Sequence, residues 1–458
     1  MIKNIKYIGL IVLGLFLLTC GPKKDSRKDA VARVDQRIFS EDELAWAYEL
    51  APSQFAKLGK QKALDILVKK MINQNLLADK ARQQGLDEDP EIQRIINYYR
   101  DAEVIRQLYL KHIRDSVNIS EKELRKAFKR DKQGLLVKHY ATKKRDEAES
   151  LWRSNAIPRH IPLLSGTRLI ITKKFGEVDS IEWNVLDAEI EDIVYELPLD
   201  SVSRPISHDG FYHIFKVVDK DMNVFTRKSE FSNRKASLKS AVRKRKEHEK
   251  AFQFVKRIMQ PQELIIKSDV LDELSGIIYD RYQNSDRKSV KIKNKEMDIE
   301  KIMHKPLYES RVAEFKSGNM TVSDFFFYNK VNPQPINIKN KATVRHNLVD
   351  IIATYVRDQV FAEKGHAEGL EELAEVKQEK VRWSEKILAN ELKRSVYKNI
   401  EQSNNKSNIS RQYSKRLKEM LTGLRQGADI SINRDRLYNI KTSDQGLSRK
   451  IDFFAKHL

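Results

Sequence analysis

One pattern of apolar, capping and glycine residues occurs twice in this chain, and it constrains the fold more than any other feature. At an offset of 281 positions it pairs Val31 with Val312, Ala32 with Ala313, Val34 with Phe315, Ser40 with Thr321, Glu43 with Asp324 and Leu44 with Phe325. After three inserted residues the offset is 284, and it pairs Leu64 with Leu348, Ala78 with Ala362, Lys80 with Lys364, Gly85 with Gly369, Leu86 with Leu370, Glu91 with Glu375, Ile92 with Val376 and Tyr99 with Trp383. Chance similarity between helical stretches would not retain a cap, a glycine and the apolar phase together. The repeat therefore predicts two related modules.

Each copy begins with a short extended segment and continues into helices. Residues 31–34 have the pattern of a strand, and Ser40 with Glu43 forms a capping box ahead of the first helix. Apolar side chains then recur at helical spacing over 64–77 and again over 92–108. Both modules are therefore expected to be mainly helical.

A fainter repeat follows each copy. At an offset of 166 it pairs Leu264 with Ile430, Ile266 with Ile432, Asp269 with Asp435, Leu271 with Leu437 and Leu274 with Ile440. Because each of these elements comes after one of the modules, sequence order predicts that each module is closed by the small element that follows it.

The segment between the first module and its expected closing element has a different texture. Short strands are expected at 135–140, 181–183 and 211–218, and helices at 146–152 and 188–196. Strands and helices of this length predict a small α+β domain inserted between helical arms.

The fold class that follows is α+β and mainly helical. We expect a signal peptide at 1–19, a tether at 20–30, a first helical module at 31–132, an inserted α+β domain at 133–220, a helix and closing element at 221–280, a second helical module at 281–400, and a C-terminal helix and closing element at 401–458.

The first twenty residues have the features of a secretion signal. A basic start at Lys3 and Lys6 precedes an apolar run over 7–18, about a dozen residues where a bilayer-spanning helix needs about 20. The end of this run, Leu17 to Cys20, resembles the lipobox of bacterial lipoproteins, in which the cysteine is acylated. We therefore expect lipidation at Cys20; the alternative is an ordinary cleaved signal with an incidental cysteine.

Composition narrows the partners and the chemistry. The formal charge is +21 and the sequence pI is near 9.6, so the chain attracts polyanions. Nucleic acid is not an expected partner of an exported protein. The expected partners are anionic lipids, cell-wall polymers and acidic unfolded polypeptides. The alternative is that the positive charge only keeps the protein soluble. Cys20 is the only cysteine, and the sequence has no phosphate loop, metal-ligand spacing or hydrolase triad, so we expect no metal and no cofactor. No pattern indicates an oligomeric state.

An ordered set of short motifs runs through the inserted segment. It consists of Val137-Lys138-His139, Glu147-Ala148-Glu149, the stretch from Gly176 to Trp183, Leu197 followed by Val202-Ser203-Arg204-Pro205, and Gly210-Phe211-Tyr212-His213-Ile214. In this order the motifs resemble those of a parvulin domain, and the flanking modules resemble the helical chaperone domains of SurA-type proteins and foldase lipoproteins.

The resemblance implies a prolyl isomerase site with few reactive groups. Rotating a prolyl peptide bond crosses a barrier of about 20 kcal/mol without breaking a covalent bond, so neither a nucleophile nor a metal is required. In the family, two histidines on adjacent central strands form a hydrogen-bonded pair, with an acid or thiol nearby and an apolar cup for the ring. The resemblance assigns catalytic positions to His139, His213 and Asp179, and substrate-binding positions to Ile190, Tyr195 and Phe211.

The sequence departs from the family pattern at two places. The stretch that supplies the acid or thiol is not recognisable over 157–174, which leaves Asp179 as a candidate replacement. Tyr195 stands where the cup has phenylalanine, and its hydroxyl needs a partner or must point outward. Any prolyl isomerase activity is therefore expected to be weak or lost, and His139 with His213 can also be read as a core histidine pair.

Three functions remain open at this point. The first is a folding factor of the bacterial envelope, lipid-anchored, periplasm-facing and held in the outer membrane, that binds unfolded or proline-containing exported polypeptides between its helical arms. The second is a binding protein in which the parvulin-like domain has no catalytic role. The third is a structural lipoprotein that docks on an anionic envelope surface.

We predict that Cys20 carries the lipid, because the apolar run before it is too short to span a bilayer and ends at a lipobox-like site. In cells fed a radioactive fatty acid, the wild type should be labelled and Cys20→Ser should not. Equal labelling of the two proteins would contradict the assignment.

Overall fold

The computed structural model describes residues 30–49, 57–158, 161–162, 174–208, 210–222, 228–284, 289–291, 304–402 and 408–441. The expected signal peptide, the lipidation candidate Cys20 and the tether up to residue 29 lie outside the described residues. Over the described ranges the chain is mainly helical with small antiparallel sheets, in agreement with the expected α+β class. None of the described helices is long and apolar enough to cross a membrane.

The helices and strands have the following bounds. The helices are α1 Glu41–Glu49, α2 Lys60–Gln83, α3 Pro90–Tyr109, α4 Glu121–Asp131, α5 Arg145–Arg153, α6 Ala188–Glu196, α7 Lys228–Met259, α8 Ser268–Tyr282, α9 Pro306–Glu309, α10 Val322–Val331, α11 Lys341–Ala367, α12 Ala374–Gln402, α13 Ile409–Gln426 and α14 Arg434–Asn439. The strands are β1 Ala30–Val34, β2 Arg37–Ser40, β3 Gln133–Thr142, β4 Ile161–Pro162, β5 Lys174–Phe175, β6 Val178–Ile181, β7 Ile206–His208, β8 Phe211–Met222, β9 Ile265–Ile266, β10 Ser289–Lys291, β11 Arg311–Phe315, β12 Gly318–Thr321, β13 Pro335–Asn337 and β14 Ile430–Ile432.

The chain divides into two compact units. Among the described residues, those at 30–103 and 371–441 belong to the first unit and those at 104–370 to the second. The first unit is therefore built from an N-terminal and a C-terminal part of the chain.

A three-stranded antiparallel sheet, ordered β14-β1-β2, lies in the first unit. The capping box that the sequence predicts is present where β2 passes into α1, because the Glu43 amide donates to Ser40 Oγ and the Ser40 amide donates to Glu43 Oε2, both at 3.2 Å. The sheet packs on α2 through a buried apolar cluster. Its members include Val31, Val34, Phe39, Leu44, Leu64, Val68, Ile72 and Leu437.

A buried ion cluster ties this sheet to α12. Arg37 donates to Glu43 Oε1 at 2.6 Å and to Glu385 Oε1 at 2.7 Å, and Asn75 donates to the same Glu385 oxygen at 3.4 Å. Burial alone would lower the Arg37 pKa, but the two carboxylates raise it above its usual value. Because removal of one member would leave a buried charge without its partner, this cluster fixes how the hairpin sits on the helix.

The second unit contains the same succession of elements. Strands β11 and β12, helix α10 and helix α11 follow one another as do β1, β2, α1 and α2, and both hairpins have a register shift at their first strand. Thr321 and Asp324 form the second capping box. Gly85 and Gly369 both precede a short 3-10 turn and have φ values of 72° and 71°, a left-handed conformation that favours glycine.

The closing elements are exchanged relative to sequence order, which corrects the expectation above. β14 pairs with β1 in the first unit, through Ala32 opposite Ile432, and β9 pairs with β11 in the second, through Ala313 opposite Ile266. The two pairings have equivalent registers under the sequence offsets of 281 and 166. Because the two closing segments resemble each other, local sequence does not determine which sheet each one completes.

Between these elements, the second unit holds a four-stranded antiparallel sheet ordered β6-β3-β8-β7. The central strands β3 and β8 pair along their whole length, from Gln133 opposite Met222 to Thr142 opposite Tyr212. The predicted strand and helix positions agree with these elements, except that the expected strand at 181–183 lies earlier, at β6.

We predict that Arg33→Cys combined with Ser431→Cys, in a Cys20→Ser background, forms a disulfide, because these positions face each other across β1 and β14. Glu314→Cys with Ile265→Cys is the equivalent pair in the second unit and should crosslink as well. Mass spectrometry of the oxidised proteins identifies the linked peptides. If Arg33→Cys instead formed an efficient crosslink with Ile265→Cys, β9 would close the first module, as sequence order predicts, and the observed pairing would be refuted.

Candidate functional site

The two histidines chosen from the sequence lie together in the middle of the four-stranded sheet. His139 is on β3 and His213 on β8, the two central strands, and both are fully buried. His139 pairs with Phe215 and His213 pairs with Ala141, so the imidazoles are diagonal neighbours across the strands. His139 Nε2 lies 3.0 Å from His213 Nδ1, and the ring planes differ by 8°.

The hydrogen-bond network fixes the tautomer of each ring. His213 Nε2 lies 3.2 Å from the carbonyl oxygen of His208, and a carbonyl can only accept, so Nε2 carries the proton. A neutral His213 then accepts at Nδ1, and His139 Nε2 is the donor. The backbone of β7 thus orients the pair.

His139 is neutral and lies in apolar surroundings. Burial, together with the neighbouring His213, lowers the pKa of His139 to about 3. The His139 ring stacks on Phe215 with 4.6 Å between centroids. An uncharged, buried imidazole such as that of His139 can orient a neighbouring group, but it is not an acid at neutral pH.

A third histidine, which the sequence analysis missed, connects this pair with the surface. His208 Nε2 lies 3.1 Å from Asp187 Oδ2, and these side chains are 30% and 60% exposed. The His208 and His213 rings make an edge contact with 5.9 Å between centroids. Two features of the sequence could have drawn attention to these residues: His208 stands five positions before His213, and Asp187 directly precedes α6.

Asp179 takes no part in the histidine pair. It lies on the edge strand β6 opposite Val137, its side chain is exposed, and its Oδ1 accepts a hydrogen bond from the Ser180 amide at 2.7 Å. The acid that contacts the histidine cluster is Asp187. The catalytic assignment of Asp179 remains a prediction from the sequence.

Ile190 and Tyr195 lie in the core beneath the sheet. Both are on α6 and are only 1% and 6% exposed, in the same apolar cluster as Val137 and Phe215. Tyr195 donates from its hydroxyl to the Gln133 carbonyl at 3.0 Å, and burial raises its pKa. The Tyr195 hydroxyl, which is extra relative to the phenylalanine expected from the resemblance, therefore has a hydrogen-bond partner. In this conformation neither Ile190 nor Tyr195 exposes surface to a prolyl ring.

Phe211, the third expected substrate-binding residue, lies in a second apolar cluster that includes Tyr140 and Ile214. It is 4% exposed, and its ring centroid is 6.3 Å from that of His213. Lys143 Nζ lies 5.4 Å from the centre of the Phe211 ring, a distance typical of a cation–π contact. The structure thus brings Phe211 close to the histidines.

Cationic side chains hold α6 against the neighbouring helices. Arg245 of α7 pairs with the buried Glu191 at 2.7 Å, and Arg130 of α4 pairs with Asp192 and, at 3.3 Å, with Glu196. Burial raises the pKa of Glu191, although Arg245 opposes this shift. Because α6 carries the expected cup residues, any opening of the cup has to break or carry along these ion pairs.

No group of His, Cys, Asp and Glu within the described ranges could hold a metal ion. The arrangement offers a buried, oriented imidazole pair inside an apolar sheet, with a polar histidine and carboxylate at its edge. Such a site suits a reaction in which no charge develops, such as rotation about an amide bond.

No family model matches the chain, and no curated protein matches it. Similar solved structures include a SurA-like chaperone from Campylobacter jejuni, 15% identical, covering 52% of this chain and 100% of its own, with a TM-score of 0.24. The foldase PrsA of Streptococcus pneumoniae is 12% identical, and the match covers 59% of this chain and 96% of that protein, with a TM-score of 0.21. The peptidylprolyl isomerase PrsA of Bacillus cereus is 18% identical, and the match covers 60% of this chain and 100% of that protein, with a TM-score of 0.21. Similarity at this level assigns no family.

We predict that His139 makes stability depend on pH. Because its folded-state pKa is about 3 and its unfolded-state pKa is about 6.5, the unfolded chain binds the extra proton between these values, and the free energy of unfolding falls as pH drops from 6.5 towards 3. His139→Gln should reduce that slope by up to about 1.4 kcal/mol per pH unit in urea titrations between pH 7 and 4.

The matched control is His346→Gln, which removes an imidazole that is 72% exposed. It should leave the wild-type slope unchanged. A His139→Gln slope equal to that of the wild type would show that folding does not shift the pKa of His139, and it would contradict the prediction.

Proposed function

We propose that this protein is a folding factor of the bacterial cell envelope that binds unfolded exported polypeptides. The observation that carries the proposal is the buried, hydrogen-bonded His139–His213 pair on the two central strands of a small antiparallel sheet, inserted between two similar successions of strands and helices. The ordered motifs that resemble a parvulin domain support it. In this proposal the repeated successions are related chaperone-like modules.

We infer that any prolyl isomerase activity is weak. Ile190 and Tyr195 are core residues, and the α6 helix that carries them is held by Arg130 and Arg245. A prolyl ring has no access to these side chains unless α6 moves. The activity that remains would use the histidine pair and Phe211.

Holding an unfolded chain requires exposed apolar surface, which does not depend on the histidines. Exposed apolar side chains occur on the long helices, where Phe252 is 45%, Val381 41% and Tyr397 40% exposed. The inserted domain adds Val185 and Leu199 at 67% and 53%. These surfaces support client binding with or without catalysis, and so the non-catalytic client platform remains the nearest alternative.

The remaining parts of the proposal concern place and partners. We infer a lipid anchor at Cys20 that holds the protein in the outer membrane with its folded part facing the periplasm, and clients that include proline-containing segments. The second candidate function is a structural lipoprotein that docks on an anionic envelope surface, and the formal charge of +21 favours it.

We predict that isomerase activity depends on the histidine pair whereas suppression of aggregation does not. The double variant His139→Ala with His213→Ala should lose the slow-phase acceleration measured on a proline peptide. It should still prevent an unfolded outer-membrane protein from aggregating, because apolar surface outside the pair is unchanged. The exposed His346→Ala variant serves as the control.

Removing two buried imidazoles can unfold the inserted domain, so each variant must first show wild-type helical content and thermal melting. Folded double variants with full isomerase activity would refute the site assignment. Loss of aggregation suppression in a folded variant would instead place client binding at the sheet.

A further inference from the structure

One side of α13, in the first unit, carries a row of basic side chains. Its members are four, three and seven positions apart, so at 3.6 residues per turn they lie along the same side of the helix. This basic stripe consists of Arg411, Lys415, Lys418 and Arg425, all of which are exposed. It extends over fourteen residues of helix, or about 21 Å.

The opposite side of α13 is apolar and packs on the rest of the unit. Four of its side chains are partly buried against the apolar cluster that joins α2 with α12, namely Leu417, Met420, Leu421 and Leu424. The Tyr413 ring also makes an edge contact with Tyr397 of α12, with 5.8 Å between centroids. Because this packing fixes the rotation of α13 about its own axis, the basic stripe faces solvent.

The charges of the stripe have few partners within the fold. Arg411 and Lys418 make no ion pair within the described ranges. Arg425 donates to an asparagine side-chain oxygen on α2 at 2.9 Å, which is a neutral group. Lys415 Nζ lies 4.0 Å from Glu419 Oε1, and Glu419 is the only acid on α13.

The basic helix α7 shows the contrasting arrangement. Lys235 pairs with Glu121 at 3.0 Å, and Lys246 pairs with Glu123 at 2.6 Å, so these cations join α7 to α4. Among the described residues, no cation of the stripe on α13 pairs with an acid of another element. The charges of the stripe are therefore available to an external anion.

A shallow groove follows the stripe on the side of α2. Its lining combines apolar and basic side chains, and includes Asn73, Tyr413, Leu417, Lys418, Leu421 and Arg425. Apolar groups that lie directly beside cations are typical of helices that bind in the plane of a membrane interface.

The path of the chain brings the proposed lipid anchor close to this helix. The first described residue, Ala30, begins β1, and β1 pairs with β14, which follows α13 after only three residues. The proposed tether of residues 20–30 can span at most about 35 Å, which exceeds the length of the stripe. An acylated Cys20 would therefore keep the stripe within reach of the membrane that holds the lipid.

We propose that the basic stripe of α13 docks on the anionic headgroups of the membrane in which the protein is anchored. A membrane surface presents many negative charges in one plane, and each cation that approaches it strengthens binding about fivefold. The position of the anchor favours this partner over an acidic polypeptide. The inference rests on the proposed anchor, but not on client binding or isomerase activity.

The test compares two variants that lose the same charge, both in the full-length Cys20→Ser protein, which cannot be acylated at that position. The stripe variant carries Arg411→Gln, Lys415→Gln, Lys418→Gln and Arg425→Gln. The control variant carries four changes at exposed positions of the second unit, Lys239→Gln, Lys244→Gln, Lys256→Gln and Lys316→Gln. Both must first melt as the parent protein does. Co-sedimentation with phosphatidylglycerol and phosphatidylcholine vesicles measures binding, and the N-terminal apolar run is common to all three proteins.

We expect the parent protein to prefer phosphatidylglycerol vesicles, the stripe variant to bind them at least about tenfold more weakly, and the control variant to bind close to the parent. Added salt should weaken binding by the parent steeply, because exposed charges are screened. Equal losses in the two variants would assign binding to net charge and overturn the proposal. No preference of the parent for the anionic lipid would also overturn it.

A second measurement locates the contact. Thr422, which is exposed between Lys418 and Arg425, is changed to cysteine in the Cys20→Ser background, where it is the only cysteine and can carry an environment-sensitive fluorophore. Its emission should shift to the blue on phosphatidylglycerol vesicles, whereas a label at Ser240→Cys, an exposed position on α7, should not respond. A silent label at position 422 on bound vesicles would place the contact elsewhere and refute the proposal.

Aggregation assays on the same proteins separate this inference from the proposed folding function. The stripe variant should protect an unfolded outer-membrane protein as well as the parent does. A stripe variant that lost this protection but kept vesicle binding would show that the stripe binds polypeptide, and the membrane proposal would be wrong. A parent protein that gave no protection would refute the folding function, while the vesicle measurements would still decide on the stripe.

Discussion

The pairing of β1 with β14 is the constraint on which the first unit depends. It joins two segments near opposite ends of the chain, and the flanking side chains Arg33 and Asp429, which form an ion pair, are 396 positions apart. Closing so long a loop costs conformational entropy, which must be offset by burial of the apolar cluster around Val31 and Phe39. The sheet, α2 and α12 can therefore form their shared core only after the C-terminal part of the chain is in place.

Both units contain ion pairs in which one partner is buried. Buried ion pairs such as Arg37 with Glu385 and Arg245 with Glu191 fix helices against their neighbours, since in each pair one partner is almost fully buried. These ion pairs give rigidity, because separating the partners would leave a buried charge alone.

The histidine pair is consistent with a reaction that needs orientation more than reactivity. Its proton positions follow from one backbone carbonyl, that of His208, and the low pKa of His139 follows mainly from burial. Ile190 and Tyr195 on α6 are packed in a buried apolar cluster. The oriented histidine pair is therefore present, but the expected apolar cup is closed.

The sequence by itself determined the elements and their local geometry. Apolar periodicity gave α2 and α3, the cap followed from Ser40 and Glu43, and the left-handed glycine followed from the stop at Gly85, because all of these depend on interactions within a few residues. Short apolar runs likewise located β3 and β8, and the motifs that resemble a parvulin domain singled out the two histidines on them.

Only the tertiary structure decided which distant segments meet. β9 and β14 resemble each other closely enough that either could complete either sheet, so their exchange depends on the path of the whole chain. The same holds for the contact of Asp187 with His208, because these residues are on separate elements that only the fold brings together. The Tyr195 hydroxyl on α6 donates to the Gln133 carbonyl on β3, a partner that only folding brings within hydrogen-bonding distance.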